Sequence, residues 1–530
     1  MEKKQQDNSE NSADMSQKQP INRRTLLKTL IGIPFLGAFA FELNQKLRYD
    51  KDKRKKIIHE LGLDDMKSQS QIKISSGSTS DLLRIGIIGF GSRAVEHANG
   101  LGFMHPLDVE EKKNNNTLSD WLAQENLNVA ITGICDVFEL NAEIGLATAR
   151  NEIRTGGGKP ANLPVKRYHS YQEMLADKDI DAIMIATPDH HHAPISIAAI
   201  KAGKHVYCEK SPAHNEKELY ELYDTVKNSK LVYQLGHQIP HSVIFQQAKD
   251  IIAKNILGKI TLVETTTNRN SAEGAWIRNL DKNGKPKPGD EKSIDWEQWL
   301  GNAPKVPFSL DRYYNWTKYF DYDLGLIGQL FTHEFDAVNQ LLRIGIPKSA
   351  ISSGGIYYWK DGREIPDVLN CVFEYPDSGL TLVYSATLAN SRNRGRVFMG
   401  HDASMELGRS INIIADAEST RYKEQIAAGI IDPSGPMVSF DPGSGKVDAV
   451  TGATAKYYAS RCLTSTMING HPVDITHLHI KEWIDCIRNG GTPSTNIERA
   501  FEEGVACLMA HKSYIEKRRV DWDPINKKIV

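Results

Sequence analysis

The amino-acid sequence predicts an α/β protein: a doubly wound parallel sheet, followed by an α+β region with a large, mainly antiparallel sheet. Three observations indicate this class. An apolar run beginning at Leu82 leads into the glycine-rich stretch "GFGSRA". Strand-like and helix-like stretches then alternate up to about residue 236. Further on, β-rich runs are separated by Gly, Pro and Asp, which is typical of antiparallel strands.

The composition is that of an ordinary globular chain with two or three domains. Its 530 residues carry a formal net charge of −1, so we expect no nucleic-acid partner. The six cysteines form no CxxC pair, and most lie inside apolar runs. We therefore expect small buried side chains at these positions, and neither a zinc ribbon nor a redox dithiol.

Residues 1–41 are predicted to be an export signal. Arg23 and Arg24 precede an apolar run that is too short to cross a bilayer comfortably. Residues 38–40, Ala-Phe-Ala, offer a cleavage site between small side chains. The layout resembles a twin-arginine signal, which implies export of a folded protein to the periplasm or cell envelope. An uncleaved membrane anchor is the alternative, and residues 42–81 are interpreted as a charged and then Ser/Gly-rich spacer.

The first folded domain is predicted over residues 82–236, and it opens with a dinucleotide-binding turn. The apolar run before the turn has the pattern of a buried parallel strand. The stretch from Gly89 fits G-x-G-x-x-G/A, in which glycines allow a tight turn and close approach of a pyrophosphate. The helix that follows offers free N–H groups to the negative charge. We place Gly89, Gly91, Ser92 and Arg93 at the cofactor.

Polar residues at the ends of the next predicted strands are further candidates for cofactor binding. Asp136 ends the second strand, where a carboxylate can bind the hydroxyls of an adenosine ribose; a helix cap is the alternative. No arginine directly follows it, so NAD is favoured over NADP. The other candidates at strand ends are Thr187, Pro188, His192, Glu209 and Lys210.

Three consecutive histidines, residues 190–192, raise the question of a metal site. Consecutive side chains diverge, and no cysteine or acid cluster nearby would complete a coordination shell. We therefore predict no metal site, and we interpret Asp189 as a helix cap.

From Leu82 onward the chain resembles the Gfo/Idh/MocA oxidoreductase family. The resemblance is carried by "GIIGFGSRA", "ATPDHHHAPISIAAIKAGKHVYCEKSP", "VYQLGHQ", "DWEQWLG" and "HIKEWIDCIRNGGTPSTNIERAFEEGVACL". It implies an NAD-binding Rossmann domain, then an α/β substrate domain with a large sheet over residues 237–475. The C-terminal helices, in residues 476–530, are expected to pack back on the core. The resemblance also adds Gln238 to the cofactor-binding candidates.

The resemblance implies that Lys210 is catalytic. It matches the family lysine that lies beside the nicotinamide and the reacting oxygen of the substrate, where an ammonium group exchanges a proton and stabilises negative charge. Glu209 is expected near the nicotinamide ribose. The family has Glu-Lys-Pro where this chain has Glu209-Lys210-Ser211, which leaves the lysine in register.

His333 is the second catalytic candidate, because it resembles the family histidine that approaches the substrate from a helix. Asp336 lies one helical turn later and is expected to orient the ring. A core histidine bonded to Asp336 is the alternative. Many relatives carry an aspartate four residues before this histidine, but this chain has Gln329, which cannot take a proton. Three residues stay open as substitutes: Asp321, Asp323 and Glu334.

Polar and aromatic residues in two stretches, "NRNSAEGAW" and "RYYNWTKYFDYD", are predicted to bind the substrate. Asn268 and Arg269 can donate hydrogen bonds to sugar hydroxyls, and Trp316, together with His333, completes the predicted substrate-binding set. Trp316 can stack on the apolar face of a sugar. Core packing or a dimer interface is the alternative for the aromatic residues.

These features predict an exported NAD-dependent oxidoreductase acting on a sugar, polyol or glycoside. An NAD-dependent glycosidase that oxidises, eliminates, hydrates and reduces again is the first alternative, because free NAD is scarce outside the cytoplasm. A noncatalytic binding protein on a Rossmann scaffold is the second, and Gln329 favours it slightly. We expect a homo-oligomer, since a large sheet leaves one face available.

Overall fold

The computed structural model divides into two compact units, residues 1–56 and 57–530, and the strands and helices named below all lie in the second unit. The predicted signal, residues 1–41, and most of the predicted spacer lie outside the described residues. Among the residues described, no helix is both long enough and apolar enough to cross a bilayer. The described residues are 48, 52–53, 55–64, 82–154, 159–160, 163–281, 283–441, 446–448, 465–468 and 471–530.

The first sheet is parallel and doubly wound. Its central strands are short and apolar; the second is buried at all seven positions, as expected for a strand covered on both faces. The strands of this part of the chain are β1 Leu83–Ile88, β2 Val129–Cys135, β3 Asn151–Glu152, β4 Lys159–Pro160, β5 Lys166–Tyr168, β6 Ala182–Ile185, β7 His205–Cys208 and β8 Tyr233–Leu235. Six of them pair in parallel in the order β5–β2–β1–β6–β7–β8, whereas β3 and β4 pair separately. The strand order therefore reverses between β1 and β6, which is where such sheets bind ligands.

Helices cover both faces of this sheet and continue into the rest of the chain. Several begin at a side-chain cap; Asn215, for example, accepts a hydrogen bond from the N–H of Glu218 at 3.0 Å. The helices are α1 Ser92–Leu101, α2 Pro106–Asn114, α3 Leu118–Leu122, α4 Glu139–Ala149, α5 Tyr171–Ala176, α6 His192–Lys201, α7 Glu216–Lys227, α8 Val243–Ala253, α9 Trp296–Leu300, α10 Leu310–Tyr314, α11 Thr332–Leu342, α12 Lys423–Ala427, α13 Ile475–Asn489 and α14 Ile497–Glu516. Short 3₁₀ turns occupy Asp189–His191, Ile239–His241, Trp316–Lys318 and Pro376–Ser378, and a π-helical turn, Ile327–Phe331, leads into α11.

The second sheet contains eleven strands in the described part of the chain. Its eleven strands are β9 Ile260–Asn268, β10 Ser349–Gly355, β11 Val368–Tyr375, β12 Leu380–Thr387, β13 Arg396–Gly400, β14 Ala403–Leu407, β15 Ile411–Ala415, β16 Val438–Asp441, β17 Lys446–Asp448, β20 Val520–Asp523 and β21 Lys528–Ile529. Two further strands of this part of the chain are β18 Ser465–Ile468 and β19 His471–Asp474. The sheet order is β17–β16–β15–β14–β13–β9–β12–β11–β10–β20–β21, while β18 and β19 form a separate pair. Strand β12 is buried at every second position, so one face of the sheet packs on the core.

The predicted fold class is confirmed. Among the described strand pairs of the second sheet, β9 and β12 run parallel and the other pairs with recorded register run antiparallel. A parallel, doubly wound sheet is thus followed by a large, mainly antiparallel one. The five cysteines within the described residues are buried and unpaired, in agreement with the expectation from the sequence, and Cys462 lies outside the described residues.

Helix α13 packs against α1, although the two are far apart in the sequence. Ile480, Trp483 and Ile484 are buried in the same cluster as the apolar residues of β1. The approach is close: a Cβ atom on Gly100 of α1 would lie 2.8 Å from Cδ1 of Ile480. The ring of His477 also hydrogen-bonds the carbonyl oxygen of Gly100, with Nδ1 at 2.8 Å. Helix α13 therefore forms part of an outer layer of the first sheet.

Candidate active site

The turn between β1 and α1 has the backbone geometry that its glycines predict. Gly89 has a φ of +80°, and a Cβ atom there would lie 2.9 Å from the carbonyl oxygen of Ala186, so only glycine fits. Gly91 precedes the first turn of α1 without a side-chain cap, and a Cβ atom there would meet nothing within 4 Å. Ser92 is exposed at the first position of α1. The turn therefore leaves open space in front of a helix N-terminus, as a pyrophosphate requires.

Asp136 lies at the end of β2 and holds this turn. Its Oδ2 accepts a hydrogen bond from the N–H of Phe90 at 2.5 Å, and its Oδ1 accepts one from Phe138 at 2.8 Å. Burial raises the pKa of Asp136 to about 6, although both hydrogen bonds favour the carboxylate. The residue at the N-cap of α4 is Phe138, so the alternative of a helix cap at Asp136 is not what the structure shows.

Glu209, at the end of β7, is a buried carboxylate held by two side chains of α1. Its Oε1 lies 2.8 Å from Nε of Arg93 and 3.0 Å from Nε2 of His97. Burial opposes the ionisation of Glu209, but the charge of Arg93 and the imidazole of His97 hold its pKa well below the usual value. Gly236 is adjacent to this carboxylate, since a Cβ atom there would lie 2.7 Å from Oε1 of Glu209. Glu209 therefore stays ionised at the edge of the sheet.

Lys210 is half-buried and its ammonium group is held by Gln329. Nζ donates to Oε1 of Gln329 at 3.0 Å and lies 3.3 Å from its carbonyl oxygen. The peptide bond between Lys210 and Ser211 is cis. Gln329, which lies in the π-helical turn before α11, thus connects the lysine of the first sheet to the second part of the chain.

The amide of Gln329 also binds two buried carboxyl groups. Its Nε2 lies 3.1 Å from both carboxyl oxygens of Asp189 and 3.0 Å from Oδ1 of Asp323. Burial, and then the charge of Asp189, raise the pKa of Asp323 well above its usual value. Asp189 is therefore more than the helix cap that the sequence suggests, because its carboxylate faces Gln329 and the hydroxyl of Ser211.

The structure separates the three candidates for a replacement of the family aspartate. Asp323 contacts Gln329 directly. Asp321 pairs with Arg312 at 2.9 Å, and Glu334 pairs with Arg396 at 2.7 Å. Of the three, Asp323 is therefore the one whose carboxyl group lies next to Gln329, the residue that holds Lys210.

His333, in the first turn of α11, faces another histidine. Its Nδ1 lies 3.2 Å from Nδ1 of His237, which follows β8, and Nε2 of His237 lies 2.7 Å from Oε2 of Glu503. Burial, and then the charges of His237 and Lys210, lower the pKa of His333 well below its usual value. The expectation that Asp336 orients His333 is wrong. Asp336 accepts a hydrogen bond from Gln340, one helical turn further along α11, whereas His333 faces His237.

The remaining cofactor candidates follow the ends of β6 and β8. Thr187 and Pro188 lead from β6 into the 3₁₀ turn, and Gln238 begins the turn after β8. The ring of His192 lies between two carbonyl oxygens, with Nε2 at 2.9 Å from Thr187 and Nδ1 at 2.7 Å from Ser211. His192 therefore supports the backbone on both sides of the site.

The other two histidines of the triple contact a single backbone carbonyl. Nε2 of His190 lies 3.0 Å and Nε2 of His191 lies 2.7 Å from the carbonyl oxygen of Trp299. Burial lowers the pKa of both rings, that of His191 to about 4, so both are neutral donors at pH 7. Their role is to connect the first sheet to α9.

The predicted substrate residues lie at the end of β9 and in the aromatic region beyond it. Asn268 donates to the carbonyl oxygen of Arg392 at 2.5 Å and accepts from the N–H of Thr387 at 3.1 Å. Arg269 is exposed at the same strand end. Trp316 packs, partly buried, against the cluster that contains Trp299. Sugar binding by Asn268, Arg269 and Trp316 stays a prediction, and the amide of Asn268 is already used by the backbone.

The residues at the carboxyl ends of the strands of the first sheet fit a dinucleotide. The open Gly89–Gly91 turn offers the N-terminus of α1 to a diphosphate. In the described part of the chain, the buried polar atoms at this edge without a hydrogen-bond partner include Nη2 of Arg93, Oγ1 of Thr187 and Oε1 of Gln238. Buried polar atoms usually have partners, so a bound group with its own donors and acceptors would satisfy them.

The parallel sheet and the open turn at its carboxyl edge have the form of a dinucleotide-binding Rossmann domain. Residues 83–237 match the model of the Gfo/Idh/MocA family, described as an oxidoreductase family with an NAD-binding Rossmann fold. The expected resemblance is thus confirmed for this part of the chain.

Two curated relatives share part of their length with this chain. A levoglucosan dehydrogenase from Pseudarthrobacter phenanthrenivorans is 30% identical over 187 residues, which are 35% of this chain and 41% of that protein. A glycosyl hydrolase family 109 protein from a Shewanella species is 34% identical over 148 residues, which are 28% of this chain and 26% of that protein. The chain therefore matches less than half the length of either relative.

A solved structure shows the same fold over most of the chain. The complex of levoglucosan dehydrogenase with NADH and levoglucosan aligns with a TM-score of 0.52 at 17% identity, covering 83% of this chain and 99% of that one. The similarity therefore extends beyond the Rossmann domain into the large sheet.

Sequence reasoning missed four side chains that the structure brings to this edge. They are His97 and Asp189, next to Glu209 and Gln329, and His237 and Glu503, next to His333. Two of them could have been found from the sequence: His237 lies two positions after a predicted strand in "YQLGHQ", and His97 lies one helical turn after Arg93. Glu503 could not, because an acid in a long amphipathic helix looks like a surface residue.

Proposed function

We propose that this protein is an NAD-dependent oxidoreductase that transfers a hydride between the cofactor and a hydroxyl-bearing carbon of a sugar, polyol or glycoside. The observation that carries the proposal is the position of Lys210. Lys210 follows Glu209, which contacts α1 after the glycine-rich turn, and its ammonium group is held by Gln329 from the second part of the chain. NAD is preferred to NADP because Asp136, a carboxylate, ends β2 and would repel a ribose phosphate.

Bound NAD supplies a hydride acceptor for alcohol oxidation and a donor for the reverse. The protein supplies the proton chemistry. His333 is neutral, because burial and neighbouring charges lower its pKa, and it accepts the hydroxyl proton of the alcohol. The Lys210 ammonium has three N–H donors; two are used on Gln329, and the third stabilises the negative charge that develops on the substrate oxygen.

The buried carboxyl pair keeps Lys210 in place. Gln329 presents its oxygen to the ammonium group because its Nε2 is bound to Asp189 and Asp323. The amide passes no proton, so Gln329 is a positioning residue. The loss of the family aspartate therefore leaves the lysine anchored rather than free, which argues against a purely noncatalytic role.

Replacement of Lys210 tests the proposal. In Lys210→Met we expect turnover with a free sugar to fall about 10³-fold, because the stabilising charge is removed, while the dinucleotide remains bound. The matched control is Lys201→Met, since Lys201 is a surface side chain that pairs with Glu221. The measurements are NADH formation across a panel of sugars and the dinucleotide released on denaturation. Near-normal turnover in Lys210→Met would remove the lysine from the mechanism, and an absence of bound or bindable dinucleotide would favour a binding protein.

A redox-assisted glycosidase is the second candidate. The glycosyl hydrolase family 109 relative, 34% identical over 148 residues, favours it. The same side chains would serve transient oxidation and final reduction, so the cofactor would be regenerated within each turnover. Cleavage of nitrophenyl glycosides without net NADH supports the glycosidase; stoichiometric NADH from a free sugar supports the dehydrogenase.

Export by the twin-arginine route is part of the proposal and rests on the sequence alone. A route that carries folded proteins lets an enzyme bind its cofactor before it leaves the cytoplasm. We expect Arg23→Lys combined with Arg24→Lys to retain the protein in the cytoplasm, whereas Arg48→Lys leaves its distribution unchanged. Cell fractionation also distinguishes the two forms of the segment. A cleaved signal gives a shorter chain in the periplasmic fraction, and an uncleaved anchor gives a full-length chain in the membrane fraction.

A further inference from the structure

Two histidines and a glutamate converge beside the Rossmann domain, at a place that the proposed reaction does not use. His241 lies at the end of the 3₁₀ turn after β8, and His479 and Glu482 lie one turn apart on the same face of α13. Nε2 of His241 is 3.0 Å from Nδ1 of His479 and 3.3 Å from Oε2 of Glu482. The third separation, between Nδ1 of His479 and Oε2 of Glu482, is 4.0 Å.

These separations suit a metal ion. In a tetrahedral zinc site with ligands at about 2.0–2.1 Å, neighbouring ligand atoms lie roughly 3.3 Å apart. The three observed separations bracket that value. Two imidazole nitrogens and one carboxylate oxygen also form a common ligand set for zinc with an open fourth position.

The surroundings prepare His479 to be a ligand. Its Nε2 lies 2.9 Å from the carbonyl oxygen of Leu235, a contact that needs the proton on Nε2 and leaves the lone pair on Nδ1. The N–H of His237, 3.1 Å from the same Nε2, already donates to Leu235 at 2.9 Å. Histidine ligands in metal sites are characteristically oriented by such a bond from the other ring nitrogen.

The carboxylate is also oriented from behind. Oε1 of Glu482 accepts a hydrogen bond from the N–H of Ser494 at 3.0 Å, and Oε2 accepts one from its hydroxyl at 2.8 Å. The side chain of His479 is fully buried, whereas those of His241 and Glu482 are 17% and 26% exposed. An ion can therefore reach the cluster from the side of His241.

We propose that Nε2 of His241, Nδ1 of His479 and Oε2 of Glu482 bind one Zn²⁺ ion, with water in the fourth position. The prediction of no metal site considered only the triple histidine at 190–192, whereas the ligands proposed here are far apart along the chain; His241 and His479 are separated by 238 positions. The ion joins the turn after β8 to α13. Gln238 and His237, which faces His333, directly precede that turn, so the bound ion stabilises one wall of the candidate active site.

Metal content is the direct test and does not depend on the enzyme activity. Full-length protein is stripped with a chelator, loaded with Zn²⁺, desalted and analysed by elemental mass spectrometry. We expect about one equivalent in the wild type, a rise in its melting temperature on loading, and visible absorption when Co²⁺ replaces Zn²⁺. His241→Gln should lose the equivalent and the Co²⁺ absorption.

Two further variants make the result specific. Glu482→Gln keeps the shape of the side chain but removes its charge, so it should also lose the metal. His401→Gln is the matched control, because His401 is exposed on the second sheet, and it should retain one equivalent. A wild type that retains no zinc after loading overturns the proposal, and so do His241→Gln and Glu482→Gln proteins that retain as much as the wild type. Zinc binding by a protein that never binds a dinucleotide would leave this site intact and defeat only the proposed oxidoreductase function.

Discussion

At the scale of single residues, Gln329 shows how one amide can replace a charged group. Its oxygen accepts from Lys210 while its nitrogen donates to Asp189 and Asp323. A carboxylate at this position would be the third acid in one buried cluster, and like charges at such distances disfavour ionisation. The glutamine therefore suits the two acids that surround it.

Replacement of Gln329 by methionine tests this positioning role. Gln329→Met keeps the volume but removes the acceptor of Lys210 and the donor to both carboxyl groups. We expect kcat to fall about 10- to 100-fold with little change in KM, because substrate binding is retained while the proton chemistry is displaced. The free energy of unfolding should fall by about 1–3 kcal/mol, since buried carboxyl groups lose a partner. Gln172→Met, on the exposed face of α5, is the control, and equal kcat in the two variants would contradict the role.

At the scale of elements, the β1–α1 turn combines two separate constraints on Gly89. One is the positive φ, which any side chain would strain; the other is the close approach of the Ala186 carbonyl. Gly203, after α6, has nearly the same φ, +79°, but a Cβ atom there would meet nothing within 4 Å. A side chain at Gly203 would therefore cause backbone strain alone, whereas a side chain at Gly89 would cause both strain and a steric clash.

Alanine at these two glycines should give different results. Gly203→Ala is expected to cost about 1 kcal/mol of stability from backbone strain and to bind NAD normally. Gly89→Ala should lose NAD binding as well, because the added methyl group displaces the strand end or the turn that faces the diphosphate. Calorimetric titration with NAD and chemical denaturation measure both effects. Equal NAD affinity in the two variants would show that the turn does not approach the cofactor.

The 3₁₀ turn that carries the triple histidine is a site of pH sensitivity. Burial lowers the pKa of His191 to about 4 in the folded state, from about 6.5 in an unfolded chain. Between these values the unfolded chain binds a proton that the folded one does not, so stability falls as pH falls. The contribution is on the order of 3 kcal/mol and is fully present only above about pH 6.5.

His191→Gln should reduce this acid sensitivity. A glutamine can still donate to the carbonyl oxygen of Trp299 but does not titrate. The free energy of unfolding, measured by urea denaturation between pH 7 and 4, should decline less steeply than in the wild type. His401→Gln, at an exposed site, should leave the slope unchanged. An unaltered slope in His191→Gln would mean that the ring is already protonated in the folded state.

At the scale of the whole molecule, the large sheet has an outer face that suits a second copy of the chain. Ile351 on β10 is 49% exposed, and Tyr357 and Tyr358 beyond the same strand are 66% and 64% exposed. On β11, Val372 pairs with Ile351, so an apolar strip crosses the two strands. Exposed apolar strips of this kind are typical of protein interfaces.

We expect a homo-oligomer that Ile351→Lys dissociates. A charged side chain at the centre of an apolar interface is costly to bury, so the native mass should shift towards that of a single chain. Ile525→Lys is the control, because Ile525 is 90% exposed and lies away from the strip. Light scattering after size-exclusion chromatography measures the mass. A wild type that is already monomeric would contradict the prediction.

The fold could be predicted from the sequence to a large extent, because local patterns determine it. The runs around β6 and β7 are continuous apolar stretches, and β11 and β12 alternate between buried and exposed positions. The site could be predicted only in part. Lys210 and His333 follow from a family motif, but the contacts of Gln329 with Asp189 and of His237 with His333 join residues 140 and 96 positions apart. No local pattern encodes such pairs, since tertiary packing alone brings them together.

The contact between α1 and α13 also affects the order of events during synthesis. His477 bonds a carbonyl oxygen 377 positions earlier in the chain, and Ile480 and Trp483 cover β1. The chain must therefore be synthesised past residue 484 before the first sheet acquires this outer layer. Until then the apolar residues of β1 that α13 covers stay exposed, which favours aggregation of the partly made chain.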